Sequence, residues 1–395
     1  MRTSMDFFDR VRRYIEHCRR HYGTRPGKAA LHVALWGLCR AFDTTTADAS
    51  PYRDDDLHVA FVLDGGLGDV LVNARFVEDF CRSFGPMRAS VYTPLEEDAA
   101  QDIFAAVPSV EAVRSGPCRQ AYDLVLPVLF LPFVAFCDDA RLAGVGSEAL
   151  RAYVASLRTF QRDNACWFSE QDSFLADMLA YGRVRRGSRE NIPYACGTLE
   201  PGQASRLCAA GQAPGFSWGG RPFFTVSRGS GAAGNSTKLW ARERYDDLLQ
   251  RLHNTFPHLV SVQIGDASDV PLAVDADLRG ATDFRTVSAL LQGSVLHIAP
   301  EGGLVHLRHR LGGGPSVVLF GPTDPDFYGY PENMNLRAPV CQPCEWLQRD
   351  WQQRCMNGHD TCRALESLSS GQVFEVMMND RNITEALCSN TLTAS

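Results

Sequence analysis

Residues 294–325, SVLHIAPEGGLVHLRHRLGGGPSVVLFGPTDP, carry the pattern from which the rest of the chain is read. The apolar run Val295 to Ala299 is short and stopped by Pro300, as expected of a buried strand. Glu301-Gly302-Gly303 is a tight turn that permits close backbone approach, and Leu304, Leu307 and Leu311 form a helical stripe. A glycine break, a second apolar run and the loop from Gly321 to Pro325 follow. A helix that starts directly after a strand points its unpaired amides at the C-terminal edge of a parallel sheet, where α/β folds hold anions. The expected occupant is a phosphate.

The same β-loop-α unit occurs near the start of the chain. His58 to Leu63 reads as a buried strand, Asp64-Gly-Gly-Leu-Gly-Asp69 as a glycine-rich turn, and Val70 to about Phe84 as a helix. Strands at Ala89 to Tyr92, Val110 to Val113 and Leu124 to Leu126 alternate with a helix at Leu95 to Ala106, and Ser147 to Tyr181 is helical by pattern. Pro214 to Pro222, rich in Gly, Pro and aromatics, reads as a linker. A second series then begins, with strands at Phe223 to Ser227 and Leu259 to Ile264 and helices at Arg242 to Thr255 and Arg285 to Leu291. Alternation of this kind predicts an α/β architecture of two Rossmann-like, doubly wound domains at 57–213 and 223–395, with a ligand in the cleft between facing sheet edges.

Residues 1–56 precede the first strand as a helical N-terminal extension, with helices expected at 4–23 and 29–42. Its first 28 residues hold eight basic side chains, Arg2, Arg10, Arg12, Arg13, Arg19, Arg20, Arg25 and Lys28, against Asp6, Asp9 and Glu16. Packing or homo-oligomerisation through this arm and docking on a membrane surface both stay open.

The chain of 395 residues is 45% hydrophobic, enough for two cores, and its net charge of −7 and pI near 5.8 exclude nucleic acid as a general partner. No uninterrupted apolar core of a signal peptide is seen, and the run Leu124 to Phe136 is too short and Pro-broken to span a bilayer. A cytoplasmic protein is expected, with peripheral contact at the inner membrane as an option. Thirteen cysteines in such a chain point to thiols or metal ligands rather than disulfides.

Four of them, Cys341, Cys344, Cys355 and Cys362, follow the spacing C-x2-C-x10-C-x6-C within a loop at 341–362. That spacing suits a closed, structural tetrahedral Zn or Fe site; four free buried thiols are the alternative. Lysine is nearly absent: only Lys28 and Lys238 occur among 39 basic residues. Lys238 lies in a Gly/Ser loop between the second series' first strand and helix, where a compact cation neutralises a diphosphate, with Arg228 as a second candidate. A solvated surface lysine is the plainer reading. Asp69 stands at the first helix's N-terminus, placed either to take a proton from an attacking hydroxyl or simply to cap the helix. Glu301 either accepts hydrogen bonds from sugar hydroxyls or caps its helix. His306 and His309, three apart, lack a third ligand nearby and read as capping or core residues rather than a metal pair.

Three stretches together resemble the ADP-heptose glycosyltransferases, glycosyltransferase family 9: LDGGLGDVL at 63–71, TKLW at 237–240, and PEGGLVHL with VVLFGPTDP. The resemblance covers about residues 57–380. It implies a GT-B fold whose first domain serves the acceptor and whose second holds an ADP-sugar donor, with inverting transfer to a glycan, lipid-linked or protein hydroxyl and no catalytic metal. It also implies roles. Asp69 would be the general base, beside Gly66 and Gly68 of the turn; Lys238 would contact the donor phosphates; Gly302, Gly303 and His306 would line the diphosphate or sugar pocket, with Thr323 beside them. The family usually has Asp where this chain has Glu301. The four-cysteine loop, with iron, is similar to the autotransporter heptosyltransferases, which modify protein serines. A nucleotide-sugar epimerase on the same fold and a metal-stapled scaffold without catalysis are the competing readings.

Overall fold

The structure, a computed structural model, describes residues 55–118, 120–165, 175–203, 206–207, 218–229, 236–348 and 350–388. The expected basic N-terminal helices, and with them the oligomerisation and membrane-docking options, lie outside the described residues. So do positions 214–217 of the expected linker and positions 230–235 of the loop that precedes Lys238. Among the described residues no helix is long and apolar enough to cross a membrane.

Contacts divide the chain into two compact units, Met1–Phe174 with Asn191–Gly202, and Leu175–Glu190 with Gln203–Ser395. The first contains β1 (His58–Leu63), α1 (Leu67–Phe84), β2 (Arg88–Thr93), α2 (Glu97–Phe104), β3 (Val110–Ser115), β4 (Leu124–Val128), β5 (Phe136–Cys137), α3 (Asp139–Val145) and α4 (Glu148–Asp163). Its sheet runs β3-β2-β1-β4-β5, parallel except for β5. Strand β1 is central and buried along its whole length, which is why HVAFVL reads as a continuous apolar run rather than an alternating one. Phe80 of α1 meets Phe61, Phe84 and Tyr153 edge to face at 4.9 to 5.6 Å. Contacts of this type are worth about 1 kcal/mol each beyond the area they bury.

Buried carboxylates tie distant segments of this unit together. Asp79 accepts from the Tyr194 hydroxyl at 2.6 Å and the Gly202 amide at 2.9 Å, which fastens the returning segment 191–202 to α1. Asp123 accepts the His58 amide at 2.8 Å and pairs with Arg141 at 3.2 Å. The helical pattern over 147–181 does not form one helix closing this unit. Helix α4 stops at Asp163, and α5 (Leu175–Arg186) clusters with the second unit. Asn164, at φ −120° and ψ 38°, takes the chain out of helical geometry.

The second unit adds β6 (Phe223–Val226), α6 (Arg242–Thr255), β7 (Val260–Gln263), β8 (Ala276–Asp277), α7 (Phe284–Gly293), β9 (His297–Pro300), α8 (Gly303–Leu311), β10 (Ser316–Leu319), α9 (Pro325–Tyr328) and β11 (Met334–Leu336). Short helices α10 (Arg363–Glu366), α11 (Ser370–Asn379) and α12 (Arg381–Cys388) complete it. The six strands are parallel in the order β11-β10-β9-β6-β7-β8. Strand order therefore reverses between β6 and β9, and the loops leaving their C-terminal ends diverge there to open the crevice in which doubly wound sheets bind ligands.

Beneath that crevice the core is unusually polar. Arg308 of α8 is fully buried and donates to the carbonyls of Ser294, Gly314 and Pro315 at 2.9 to 3.2 Å and to the Ser294 hydroxyl at 2.6 Å. It also donates to the Leu291 carbonyl. Burial pulls its pKa down to about 9, and these acceptors satisfy the guanidinium's donors. Its hydrogen bonds anchor α8 to the end of α7 and to the glycine break before β10, holding the helix start in register with β9.

Candidate functional site

Each half of the expected site is built at the reversal point of its own sheet. In the second unit, β9 ends at Pro300, Glu301 follows, and Gly302 caps α8 without a side chain that could occupy the first-turn amides. Gly302 has φ 167°, extended backbone open to any residue, and a Cβ there would come no closer than 4.0 Å to its neighbours. Its value lies in leaving the helix start uncovered. The basic last turn of α8, Arg308-His309-Arg310, complements the opposite end of the helix dipole.

Lys238 ends the 3₁₀ turn Ser236–Lys238 that leads from β6 into α6. Its Nζ lies 2.5 Å from Glu301 Oε2 and 5.6 Å from the centre of the Trp351 ring. Thr323 donates to the same Glu301 oxygen at 3.1 Å, and His306 Nε2 stands 3.9 Å from Glu301 Oε1. Burial works against the charge of Glu301, but Lys238 and His306, with the hydrogen bonds from Lys238 and Thr323, outweigh it and hold the carboxyl below the usual range. The Tyr330 hydroxyl, 2.6 Å from His306 Nδ1, fixes the histidine ring. Lys238, Glu301, His306 and Thr323, drawn from three separate loops and helices, thus form one ion-paired cluster with Gly302 and Gly303 at its edge. Arg228 stands apart, its Nε donating to the Trp240 carbonyl at 3.1 Å.

The cysteine loop backs this cluster. The Thr237 hydroxyl donates to the Trp351 carbonyl at 2.9 Å and the Ser236 hydroxyl to the Gln353 carbonyl at 2.8 Å, while the Cys344 amide donates to the Pro322 carbonyl at 2.8 Å. Gly321 is the close-approach point, since a Cβ there would lie 2.5 Å from the Thr237 carbonyl and 3.5 Å from Cys362 Sγ. Cys341, Cys355 and Cys362 are near enough to Cys344 that, after burial, their charges are what push its thiol up to about 11. The four cysteines are neighbours. They do not converge as the expected ligand set, however, and among the described residues no group of three or more His, Cys, Asp or Glu is drawn together tightly enough to hold a metal ion. Arg337 interposes a competing partner, with Nη2 3.4 Å from Cys341 Sγ and Nη1 2.6 Å from the Cys341 carbonyl.

Sequence reasoning passed over Glu345. It directly follows Cys344, is only 7% exposed, and has no hydrogen bond of ordinary geometry on either carboxyl oxygen. Burial and the adjacent Glu301 carboxylate raise its pKa to about 8, against the pull of Lys238, Arg183 and the Tyr328 hydroxyl. Its place directly after a C-x2-C pair concealed it as part of a metal loop. Arg183 of α5, which pairs with Asp324 and stacks over Phe327 at 5.1 Å, was equally hidden, because its helix read as part of the first domain.

In the first unit, Asp69 is the third residue of α1 and accepts the Gly66 amide at 3.1 Å, so it does serve as a cap. Gly68 lies one residue before it, in the first turn of the helix. Gly65 matters more than its neighbours. At φ +96° it occupies the left-handed region, and a Cβ would fall 2.5 Å from Asp69 Oδ2 and 2.6 Å from Asp69 Cβ. Gly66, at φ −86°, has nothing within 4 Å of the point where a Cβ would sit. Gly65→Ala is therefore expected to lose about 1–3 kcal/mol from strain and to displace the carboxylate, whereas Gly66→Ala stays within about 1 kcal/mol of the parent; urea unfolding of the two variants checks this.

Residues 198–359 match the glycosyltransferase family 9 (heptosyltransferase). Among solved structures, the iron-containing dodecameric glycosyltransferase TibC from enterotoxigenic E. coli H10407 aligns with a TM-score of 0.56 at 15% identity, over 85% of this chain and 78% of that one. TibC in complex with ADP-D-beta-D-heptose aligns at 0.54 and 15% identity, over 85% and 77%. E. coli ADP-heptose lps heptosyltransferase II aligns at 0.47 and 16% identity, over 83% and 98%. No curated protein matches the chain. The likeness to TibC establishes the fold as that of the GT-B heptosyltransferases, two parallel doubly wound sheets, in agreement with the α/β expectation. The segment that matches glycosyltransferase family 9 (heptosyltransferase) spans both the lysine turn and the Glu-Gly-Gly turn of this chain.

Proposed function

We propose that the protein transfers a heptose or a related sugar, with inversion, from an ADP-sugar to a hydroxyl on a lipopolysaccharide core or a protein. The observation that carries this is the buried Lys238–Glu301 pair beside the uncapped start of α8, at the reversal point of the second sheet. In this reading the leaving diphosphate draws the Lys238 ammonium from Glu301, and the first-turn amides at Gly303 share the charge that develops as the anomeric bond breaks. Glu301, relieved of its cation, turns to sugar hydroxyls, with Thr323 and His306 holding it in place. Asp69 takes the proton of the acceptor hydroxyl as that oxygen forms the new bond. Gly66 and Gly68, lacking side chains, leave the approach to Asp69 open, and Arg228 supports the lysine loop through the Trp240 carbonyl.

Cys341, Cys344, Cys355 and Cys362 do not converge as a ligand set among the described residues, and no step of the transfer is assigned to a metal at them. The test of the reading is ligand binding followed by product analysis. ADP at 100 times its dissociation constant is expected to stabilise the protein by about 2.7 kcal/mol, and incubation with ADP-heptose and an acceptor to yield a glycosylated product by mass spectrometry. A rearranged donor formed without acceptor would support an epimerase instead. Absence of stabilisation by any nucleotide would support a scaffold.

A further inference from the structure

Glu345 is not accounted for by the ion pair or by the cysteine loop. Its backbone is held over the loop Gly321 to Pro325, where its amide donates to the Pro322 carbonyl at 3.2 Å. Its side chain is thereby buried beside Glu301, Lys238, Arg183 and Tyr328. Arg183 comes no nearer than 3.9 Å to Oε1 and is already paired with Asp324, and Lys238 is taken by Glu301. Both buried oxygens lack a hydrogen bond of ordinary geometry, and the Tyr328 hydroxyl acts on the carboxyl only weakly against burial. Groups of this kind are rare in folded proteins and costly to keep, and a bound molecule that satisfies them recovers the cost.

The chemistry of the missing partner follows from its surroundings. A phosphate ester offers only acceptors and would bring its negative charge against the Glu301 carboxylate beside Glu345. An apolar group would leave the oxygens unsatisfied. A neutral, hydroxyl-bearing ring next to a phosphate held by Lys238 supplies donors without adding charge. We infer that Glu345 is a specificity residue of the donor site, accepting hydrogen bonds from hydroxyl groups of the bound nucleotide sugar. This rests on the donor reading above and adds a residue to it. It also accounts for the lysine being held back: with Glu301 on Lys238 and Glu345 turned inward, the site is polar and poised for a ligand that brings both a phosphate and hydroxyls.

The assignment is tested by calorimetric titration of the full chain with ADP and, separately, with ADP-heptose, comparing the parent with Glu345→Gln and Glu345→Ala. Glu345→Gln is nearly isosteric, and a melting curve for each variant shows that it is folded. Glu345→Ala removes both acceptors and is expected to weaken ADP-heptose binding about tenfold, while Glu345→Gln, which keeps one acceptor and replaces the other with an NH2 donor, is expected to weaken it by a smaller factor above about twofold. A deficit confined to ADP-heptose places the contact on the transferred sugar; an equal deficit for ADP places it on the ribose. Folded variants that bind both ligands within about twofold of the parent would overturn the assignment while leaving the donor reading intact. A parent protein that binds neither ligand would overturn the donor reading and this assignment with it.

Discussion

Lys238→Ala is expected to weaken ADP binding by at least about a hundredfold and to lower folding stability by about 3–5 kcal/mol. The two effects have one origin. Removing the ammonium leaves Glu301 buried with its charge uncompensated and Glu345 beside it, and a broken buried pair costs far more than the intact pair contributes. Urea unfolding and calorimetry on the same preparation measure both. Lys238→Ala combined with Glu301→Gln should recover most of the stability, since the stranded charge is gone, and none of the binding. Recovery of binding in the double variant would mean that Lys238 acts only as a structural partner.

The pair also sets a sign for pH. The native carboxyl of Glu301 lies below its ordinary value. Its contribution to stability is therefore complete above the carboxyl's unfolded pKa and is lost as pH falls through the lower native pKa. Acid unfolding of the parent should steepen over that interval, and the double variant should lack this component.

Asp69→Asn is expected to lower the turnover of sugar transfer by about 10²–10⁴-fold, with ADP affinity within about twofold of the parent. Asparagine keeps a side-chain oxygen that can accept the Gly66 amide, so the cap survives and only the proton acceptor is lost. Asp69→Ala removes both and should cost about 1 kcal/mol of stability in addition. Single-turnover assays with saturating donor, alongside unfolding curves, separate cap from base. An Asp69→Asn variant that turns over like the parent would leave Asp69 a cap and nothing more.

Much of the fold was legible because the signals are local. Short apolar runs gave β1 at its observed bounds, β6 to within one residue and β9 to within two, since a strand covered on both faces has no polar positions to confuse it. The stretch 147–181 misled because helical periodicity carries no information about which body a helix joins. Glycine spacing flagged both turns but did not rank the glycines. Gly65 is the one with no room for a Cβ, while Gly66 and Gly302 have space around them. Four cysteines at ligand-like spacing were recognised as a group, but spacing does not specify the directions of the sulfurs, which do not converge among the described residues.

The sequence by itself determined the alternating elements, the two glycine turns and the lone lysine of the loop after β6, because backbone freedom at glycine and the periods of helix and strand act over a few residues. Only the tertiary structure decided the charge pattern of the site. Lys238 and Glu301 are 63 positions apart and meet because β6 and β9 are neighbours across the strand reversal. Glu345 joins them because the cysteine loop hydrogen-bonds to Pro322. Burial then determines what these groups do: desolvation gives the lysine–carboxylate pair its strength and leaves the unpaired oxygens of Glu345 in need of a partner.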